Sequence, residues 1–405
     1  MVAMVSAHTA LLAQDTTSPY SKFGYGLLRD NATSSQRAMG GVGYAMRNGR
    51  QINVMNPASY AAIDSTTFLF DTGVTLTNLW SDENGATSSA TGGGLDYITM
   101  QFPICKFMGA SIGLLPYSSV GYSFGSDIEN GTSTRSGEGG INELYIGLSG
   151  RIAKGLTVGA NVSYLFGTTY NDVYAISEIG TNSRFTQMMK VRDWHIDLGL
   201  QYGLDINDRN TVNLGVVYSP GKTLLGRTMV TTAEIDASAA LVRDTIVDVS
   251  LKNRFSLPDT WGAGINWEWD RRLMVEADFT YQNWKNAKFP AMDNFIATQF
   301  DNRWKVAFGA QFTPAQRGSY LKRINYRAGA FFNHDYVMVN GNNVREWGAS
   351  IGLGLPAPGA KTVINLGFEY RNRQAHPVAL LKENYFNITL GINFNELWFW
   401  KNKIK

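Results

Sequence analysis

The chain has 405 residues, of which 44% are hydrophobic, 12% aromatic and only 17% charged, against roughly a quarter charged in an ordinary soluble domain. A net charge of +3 leaves no electrostatic footprint for nucleic acid, and a single cysteine, Cys105, excludes an intramolecular disulfide framework and any Cys-based zinc site. With a mean hydropathy of −0.17 and no apolar run of about 18 residues, a membrane-spanning helix is excluded as well.

The first element is MVAMVSAHTALLA, residues 1–13, a short apolar run ending at Ala13 and followed by polar sequence. It reads as the apolar core and cleavage site of a secretory signal peptide, with Gln14 the first mature residue. No Lys or Arg precedes the run and His8 interrupts it, so a helix of the folded protein is the alternative. Further on, QINVMNPASYAAID (51–64) breaks the pattern of its surroundings. Asn56 can close an Asx turn and Pro57 suits the first position of a short helix over Ala58 and its successors.

From Thr67 onward the apolar residues recur with period two. In YFNITLGINF, Phe386, Ile388, Leu390, Ile392 and Phe394 share one face, while Asn387, Thr389, Gly391 and Asn393 share the other. Counting such runs gives fourteen strands, at 67–78, 93–103, 107–124, 141–152, 155–168, 189–204, 209–219, 254–269, 272–284, 302–313, 322–333, 344–355, 361–371 and 384–394. Short turns (104–106, 153–154, 205–208, 270–271, 314–321, 356–360) alternate with longer connections (79–92, 125–140, 169–188, 220–253, 285–301, 334–343, 372–383). An even strand number with short turns at one end and long loops at the other is the mark of a single-chain outer-membrane barrel. The fold class expected is therefore an all-β membrane protein, a 14-stranded antiparallel transmembrane β-barrel over residues 67–394, followed by a periplasmic tail at 395–405. Within the connection 220–253, the arms TMVTTAEI and DTIVDVSL are expected to pair as a projecting hairpin.

The two faces decide between a barrel and a soluble sandwich. The apolar face is almost uncharged, while the other is rich in Gly, Asn, Ser and Thr with charges of both signs, as in a lumen whose ions pair across the interior. A lumen polar network is expected from Glu143, Arg151, Asp193, His195, Asp197, Glu276, Asp278, Lys305, Arg327, Glu369 and Arg371, with Glu268 and Glu346 on the same face. Glu276 and Asp278 are expected to be balanced by Lys305 or Arg327. His195, between Asp193 and Asp197, is read as a hydrogen-bonded wall residue, with a metal or proton site as the alternative. Trp267, Trp269, Trp398 and Trp400 fall at the short-turn end and Trp80, Trp284, Trp304 and Trp347 at the long-loop end, two belts of the kind a bilayer interface selects. Pro116 and Pro258 are the candidate kinks in the wall. No catalytic constellation, metal motif or cofactor motif stands out.

Two stretches carry a family resemblance. QRAMGGVGYAMRNGRQINVMNPASYAAID (36–64), with Ala38, Met39, Gly40 and Gly41 followed by Asn56-Pro57-Ala58, resembles the N-terminal segment of the FadL/TodX family of outer-membrane transporters. FSLPDTWGAGINWEWDRRLMVEADFTYQNW (255–284) resembles that family's Leu-Pro strand, tight turn and acidic outgoing strand. The tail NFNELWFWKNKIK resembles the variant found in Bacteroidetes-type bacteria. The resemblance implies a fourteen-stranded barrel whose N-terminal segment, here 14–66, folds back as a hatch containing short helices, with Ala38 to Gly41 and Asn56 to Ala58 as hatch residues. It also implies passive uptake of a long-chain fatty acid or aromatic hydrocarbon. The chain departs from the family in its polar, glycine-rich lumen face, where no apolar pocket with a basic headgroup residue can be identified. A non-transporting subunit of an outer-membrane secretion or protein-assembly complex is the alternative, and a general porin a third reading that a plug disfavours. Outer-membrane lipid and lipopolysaccharide, a hydrophobic small-molecule ligand and outer-membrane proteins are the partners these readings imply.

Overall fold

Alternation of apolar and polar residues produces a wall. In the computed structural model, which describes residues 18–128, 131–177, 182–236, 241–290, 298–358 and 361–397, fourteen antiparallel strands close on themselves. They are β1 (Thr67–Glu83), β2 (Ala86–Cys105), β3 (Met108–Ile128), β4 (Gly131–Ala153), β5 (Leu156–Ser177), β6 (Asn182–Asn207) and β7 (Asn210–Ser219). The second half comprises β8 (Thr260–Trp269), β9 (Leu273–Gln282), β10 (Arg303–Phe312), β11 (Asn325–Val339), β12 (Asn342–Pro356), β13 (Val363–His376) and β14 (Lys382–Leu397). Each strand pairs with the next, and β1 pairs with β14 from Thr67↔Leu397 to Asp82↔Lys382, so the ladder has no open end. The expected signal peptide and tail residues Trp398 and Trp400 lie outside the described residues.

The outer face is apolar at every second position. On β6, Trp194, Ile196, Leu198, Leu200, Tyr202, Leu204 and Ile206 are all exposed, a band capped by Trp at one end. The twelve residues of β6 above that Trp, 182–193, continue the ladder for roughly 40 Å along the strand at about 3.3 Å per residue. Most of the described residues in five of the seven expected long loops are therefore strand. The β1–β2 connection is only Asn84-Gly85 and the β11–β12 connection only Asn340-Gly341, all four with positive φ, the turn that suits strand twist. Above the membrane both faces meet water, so the period-two apolar signal fades while the hydrogen-bond ladder goes on.

At the long-loop end, 220–259 and 283–302 remain long connections. The first carries the projecting hairpin, Gly226–Asp236 against Leu241–Lys252, whose first arm pairs with the upper part of β6 beyond the end of β7. The expected strand 254–269 is split: Ser256–Leu257 pairs with Lys222–Thr223, and β8 begins only after Pro258. Proline has no N–H for a ladder, and here it separates two short paired pieces. The wall is thus tall over β1–β6, at 17 to 26 residues per strand, and low over β7–β10, at 10 each. At the short-turn end, the connection after β10 holds a helical turn, Tyr320–Arg323, where a strand start was expected.

One seam interrupts the wall. The β2–β3 ladder runs from Cys105↔Met108 to Ile98↔Leu114 and stops. Pro116 lies just above, at a register shift in β3. Beyond it the free edge of β3 is covered from inside by the N-terminal segment, with Leu27 and Leu28 pairing Ser119 and Ser118.

Candidate functional site in the plugged lumen

Residues 18–66 run through the lumen from the long-loop end to the foot of β1, bonded through many backbone groups to the wall and to one another. At the top, the Ser18 hydroxyl donates to Glu383 and the Tyr20 hydroxyl to the Leu381 carbonyl. Ser18 N donates to the Gly121 carbonyl at 2.6 Å and Arg29 N to the Tyr117 carbonyl at 3.0 Å, which occupies the seam edge of β3. Across the seam, Asp96 of β2 takes Arg29 at 3.2 Å and Arg37 at 3.6 Å. Asp30 sits between Arg303 and Lys305 of β10, at 3.1 and 2.6 Å. Burial works against its ionisation, but the two cations hold its carboxyl below the usual carboxylate range.

A short helix, Ser34–Arg37, is closed by a capping box between Thr33 and Gln36. Ala38 and Met39 then lead into Gly40 and Gly41, with φ of 71° and 78°. Gly40 is required twice over: its φ is left-handed, and a Cβ would press on the β10 and β11 backbone at Phe308 and Ala330. Its N–H donates to the Ser350 hydroxyl at 2.9 Å.

The next turn shows how the wall holds a main chain. Gly43 N and Tyr44 N donate to Asp278 Oδ2 at 2.7 and 3.0 Å, and Ala45 N and Met46 N to Glu276 Oε1 at 2.9 and 3.1 Å. From the other side, Gln201 Nε2 donates to the Tyr44 and Met46 carbonyls, both at 3.1 Å. Glu276 and Asp278 are therefore engaged by plug amides and not by Lys305 or Arg327; Lys305 is taken by Asp30, and Arg327 donates to Asn365 and Gln311. A carboxylate that accepts two backbone N–H groups needs no cation to be well placed.

Asn56-Pro57-Ala58 sits at the short-turn end. The Asn56 side chain accepts from Ala58 N at 3.0 Å and donates to the Tyr44 carbonyl at 2.7 Å, so one residue caps the Pro57–Ala62 turn and ties it to the strand of plug above. Ser149 accepts from Ala61 N and donates to the Ala58 carbonyl, and Gln101 donates to the Tyr60 carbonyl.

Glycines on the inward face of the strands make the space for this path. A Cβ at Gly215 would overlap the Tyr44 carbonyl; at Gly109, the Tyr60 carbonyl; at Gly199, the Asn56 side chain; at Gly159, Pro57; and at Gly309 and Gly329, Met39. The glycine-rich lumen face is the imprint of the plug backbone.

The remaining expected lumen residues fall into separate groups. Glu346 binds Arg371 at 3.1 Å and Arg373 at 2.9 Å, and Glu369 binds Arg371 at 3.0 Å. His195 Nε2 lies 3.0 Å from Asp197 Oδ1, while Glu143 takes Ser163 at 2.5 Å and Asn31 of the plug at 3.2 Å. Among the described residues no three His, Cys, Asp or Glu side chains converge as a metal site. Asp193 is drawn away from the lumen centre to Lys222 and Leu225 N, capping the loop after β7. Arg151 and Glu268 line the short-turn mouth. Asp30, Asp96, Arg303, Gln201 and Ser149 were not singled out from sequence, because isolated polar residues on a polar face carry no pattern; the inward glycines were the available signal.

Beside the middle of the plug the remaining space is small. A cavity of about 110 Å³ beside Asp30 is lined by Arg303, Lys305, Glu346 and Arg373, and one of about 120 Å³ by Glu143, His195 and Asp197. The apolar volume beneath the long connections is filled by side chains: Tyr25, Trp284 and Tyr336 are buried, with ring centroids 5.6 Å (Tyr25–Trp284) and 4.5 Å (Trp284–Tyr336) apart, and Phe255, Phe289 and Phe300 pack around them.

A closed fourteen-stranded barrel with an apolar outer band and an internal N-terminal plug is an integral outer-membrane β-barrel, with the fold of the hydrophobic-compound channels. A FadL homologue of Pseudomonas aeruginosa superposes with a TM-score of 0.63 at 13% identity, over 91% of this chain and 99% of that one. The Pseudomonas putida toluene transporter TodX gives 0.62 at 15% identity, over 94% and 100%. The Ralstonia pickettii toluene transporter TbuX gives 0.54 at 14%, over 90% and 98%. At such identities the likeness is one of fold. No curated protein sequence matches the chain. The family model described as BamG matches residues 1–405, and the chain belongs to the BamG family.

Proposed function

We propose that this barrel is a sealed, non-transporting subunit of an outer-membrane protein-assembly complex. The observation that carries the reading is the plugged lumen: a plug whose amides are bonded to buried carboxylates and whose backbone lies in a bed of inward glycines fills the middle of the barrel, where the cavities beside it measure about 110 and 120 Å³. A path for a fatty acid would need apolar walls and room along the barrel axis. The family name, BamG, agrees with this reading. So does the shape, since strands β1–β6 and the 226–252 hairpin raise a tall sheet beyond the membrane that offers a surface to a partner protein.

Passive uptake of a long-chain fatty acid or aromatic hydrocarbon is the second reading. It is favoured by the fold shared with the toluene transporters and by the β2–β3 seam, which would give an apolar molecule a sideways exit if the covering segment moved. Mild detergent extraction followed by native mass spectrometry separates the two. A stoichiometric outer-membrane protein partner, together with liposome uptake no faster than for a control barrel, is expected. A lone barrel that accelerates entry of toluene or oleate into liposomes would replace the first reading with the second.

A further inference from the structure

The short-turn mouth of the barrel, where the chain enters and leaves the wall, holds an excess of positive charge among the described residues, even though Arg272 pairs with Asp270 at 3.2 Å. Two recesses of about 600 and 560 Å³ open there and share Arg47, Gly49, Ala62 and Glu268. Their linings contain eight Arg and Lys side chains against three carboxylates, Asp64, Asp205 and Glu268, in a chain whose total net charge is only +3. Arg50, Arg323 and Lys361 form no ion pair with a described residue. Arg47 donates to the Gly155 carbonyl at 2.8 Å, and burial together with the neighbouring Arg151 charge lowers its pKa. Like charges gathered around a recess cost free energy when nothing answers them, and such arrangements mark a site for an oppositely charged partner.

The position of the cations narrows the partner. Arg47, Asn48, Arg50 and Gln51 belong to the plug and form the ceiling of the recess, inside the ring of strands, where lipid headgroups outside the wall do not reach. The volume is that of a cleft for a multi-group ligand rather than a single ion. Guanidinium groups bind carboxylates in paired fashion.

We propose that this mouth is a docking site for an acidic, extended segment of a periplasmic polypeptide, bound through Asp and Glu carboxylates to Arg50, Arg271, Arg323 and Lys361. The proposal deepens the subunit reading and rests on it for the nature of the partner. Its test is independent: a missing complex would leave peptide binding measurable, and a co-purifying partner would survive loss of peptide binding.

The test uses the full-length barrel in nanodiscs and a fluorescein-labelled deca-glutamate peptide, followed by anisotropy. Saturable binding is expected, at least tenfold weaker for deca-glutamine and at least tenfold weaker at 500 than at 50 mM salt, as screening demands. The triple substitution R50Q/R271Q/K361Q should weaken it at least tenfold while the barrel keeps its heat-modifiable migration on gels. The salt series on unsubstituted protein decides the matter if the triple variant misfolds. Absence of binding, binding indifferent to salt, or full displacement by millimolar inorganic phosphate would overturn the proposal.

Discussion

At its extracellular end the lumen is closed by side chains, and lower down by main chain. Near the top, Tyr25, Trp284, Tyr336 and their neighbours fill the volume beneath two long connections on the low side of the wall. Lower down, the plug presents N–H and C=O groups to Asp278, Glu276, Gln201 and Ser149 and lies where the strands carry Gly instead of a side chain. The first closure rests on apolar burial and tolerates the loss of one member by leaving a void. The second depends on position, because a displaced amide leaves both itself and a carboxylate unsatisfied in a space without bulk water. The difference teaches that the seal to small solutes resides in the lower half, while the upper cluster mainly contributes stability.

The largest effect expected follows from removing the lower closure. Deletion of residues 36–58 takes away the helix, the glycine pair and the Asn-Pro-Ala cap while leaving every barrel strand. It should give a folded barrel with clear ion conductance in planar bilayers, where the full chain gives none; an unchanged bilayer current would erase the distinction between the two closures. Next in size is Trp284→Ala, in the upper cluster. It should cost about 3–5 kcal/mol, the range for truncating a buried Trp, read as a lowered unfolding temperature, and yet leave the bilayer silent. Conductance in this variant would place the seal at the wrong end.

The smallest effect belongs to the junction between the two regions. Asp30→Asn leaves Arg303 and Lys305 without their carboxylate and should cost about 1–3 kcal/mol, the range for hydrogen bonds to charged groups and the groups orphaned with them. Because the Asp30 pKa is held below the ordinary value, its contribution is present above the unfolded carboxylate pKa of about 3.9 and is lost as pH falls below it. Unfolding temperature should therefore depend more steeply on pH below about 4 in the native chain than in Asp30→Asn. Equal acid profiles would show that the ion pair does not secure the junction.

The same contrast explains what the sequence disclosed. The number of strands and which face meets lipid were legible, since a bilayer enforces an apolar residue at every second position, as in Ile388, Leu390 and Ile392. The true height of the wall was not, because above the membrane neither face is apolar, although Asn84-Gly85 and Asn340-Gly341 were available as turn signals. Glycine on the inward face was visible, but its meaning depends on a segment far away in the chain, as for Gly215 against Tyr44. The aromatic cluster was hidden because Tyr25, Phe255, Trp284 and Tyr336 come from four separate stretches whose apolar residues read as ordinary one stretch at a time. The opposition of Glu276 and Asp278 to plug amides, in place of cations, could not be read from charge alone, since a carboxylate on a lumen face accepts from either.

The central claim, that the plug is a fixed part of the barrel, is tested most directly by amide hydrogen exchange of the purified protein in nanodiscs. The amides of Gly43, Tyr44, Ala45 and Met46 should exchange as slowly as the ladder amides of β9. Exchange of these four as fast as that of the exposed Asn84-Gly85 turn would mean that the plug leaves its bed on its own, and would contradict the account.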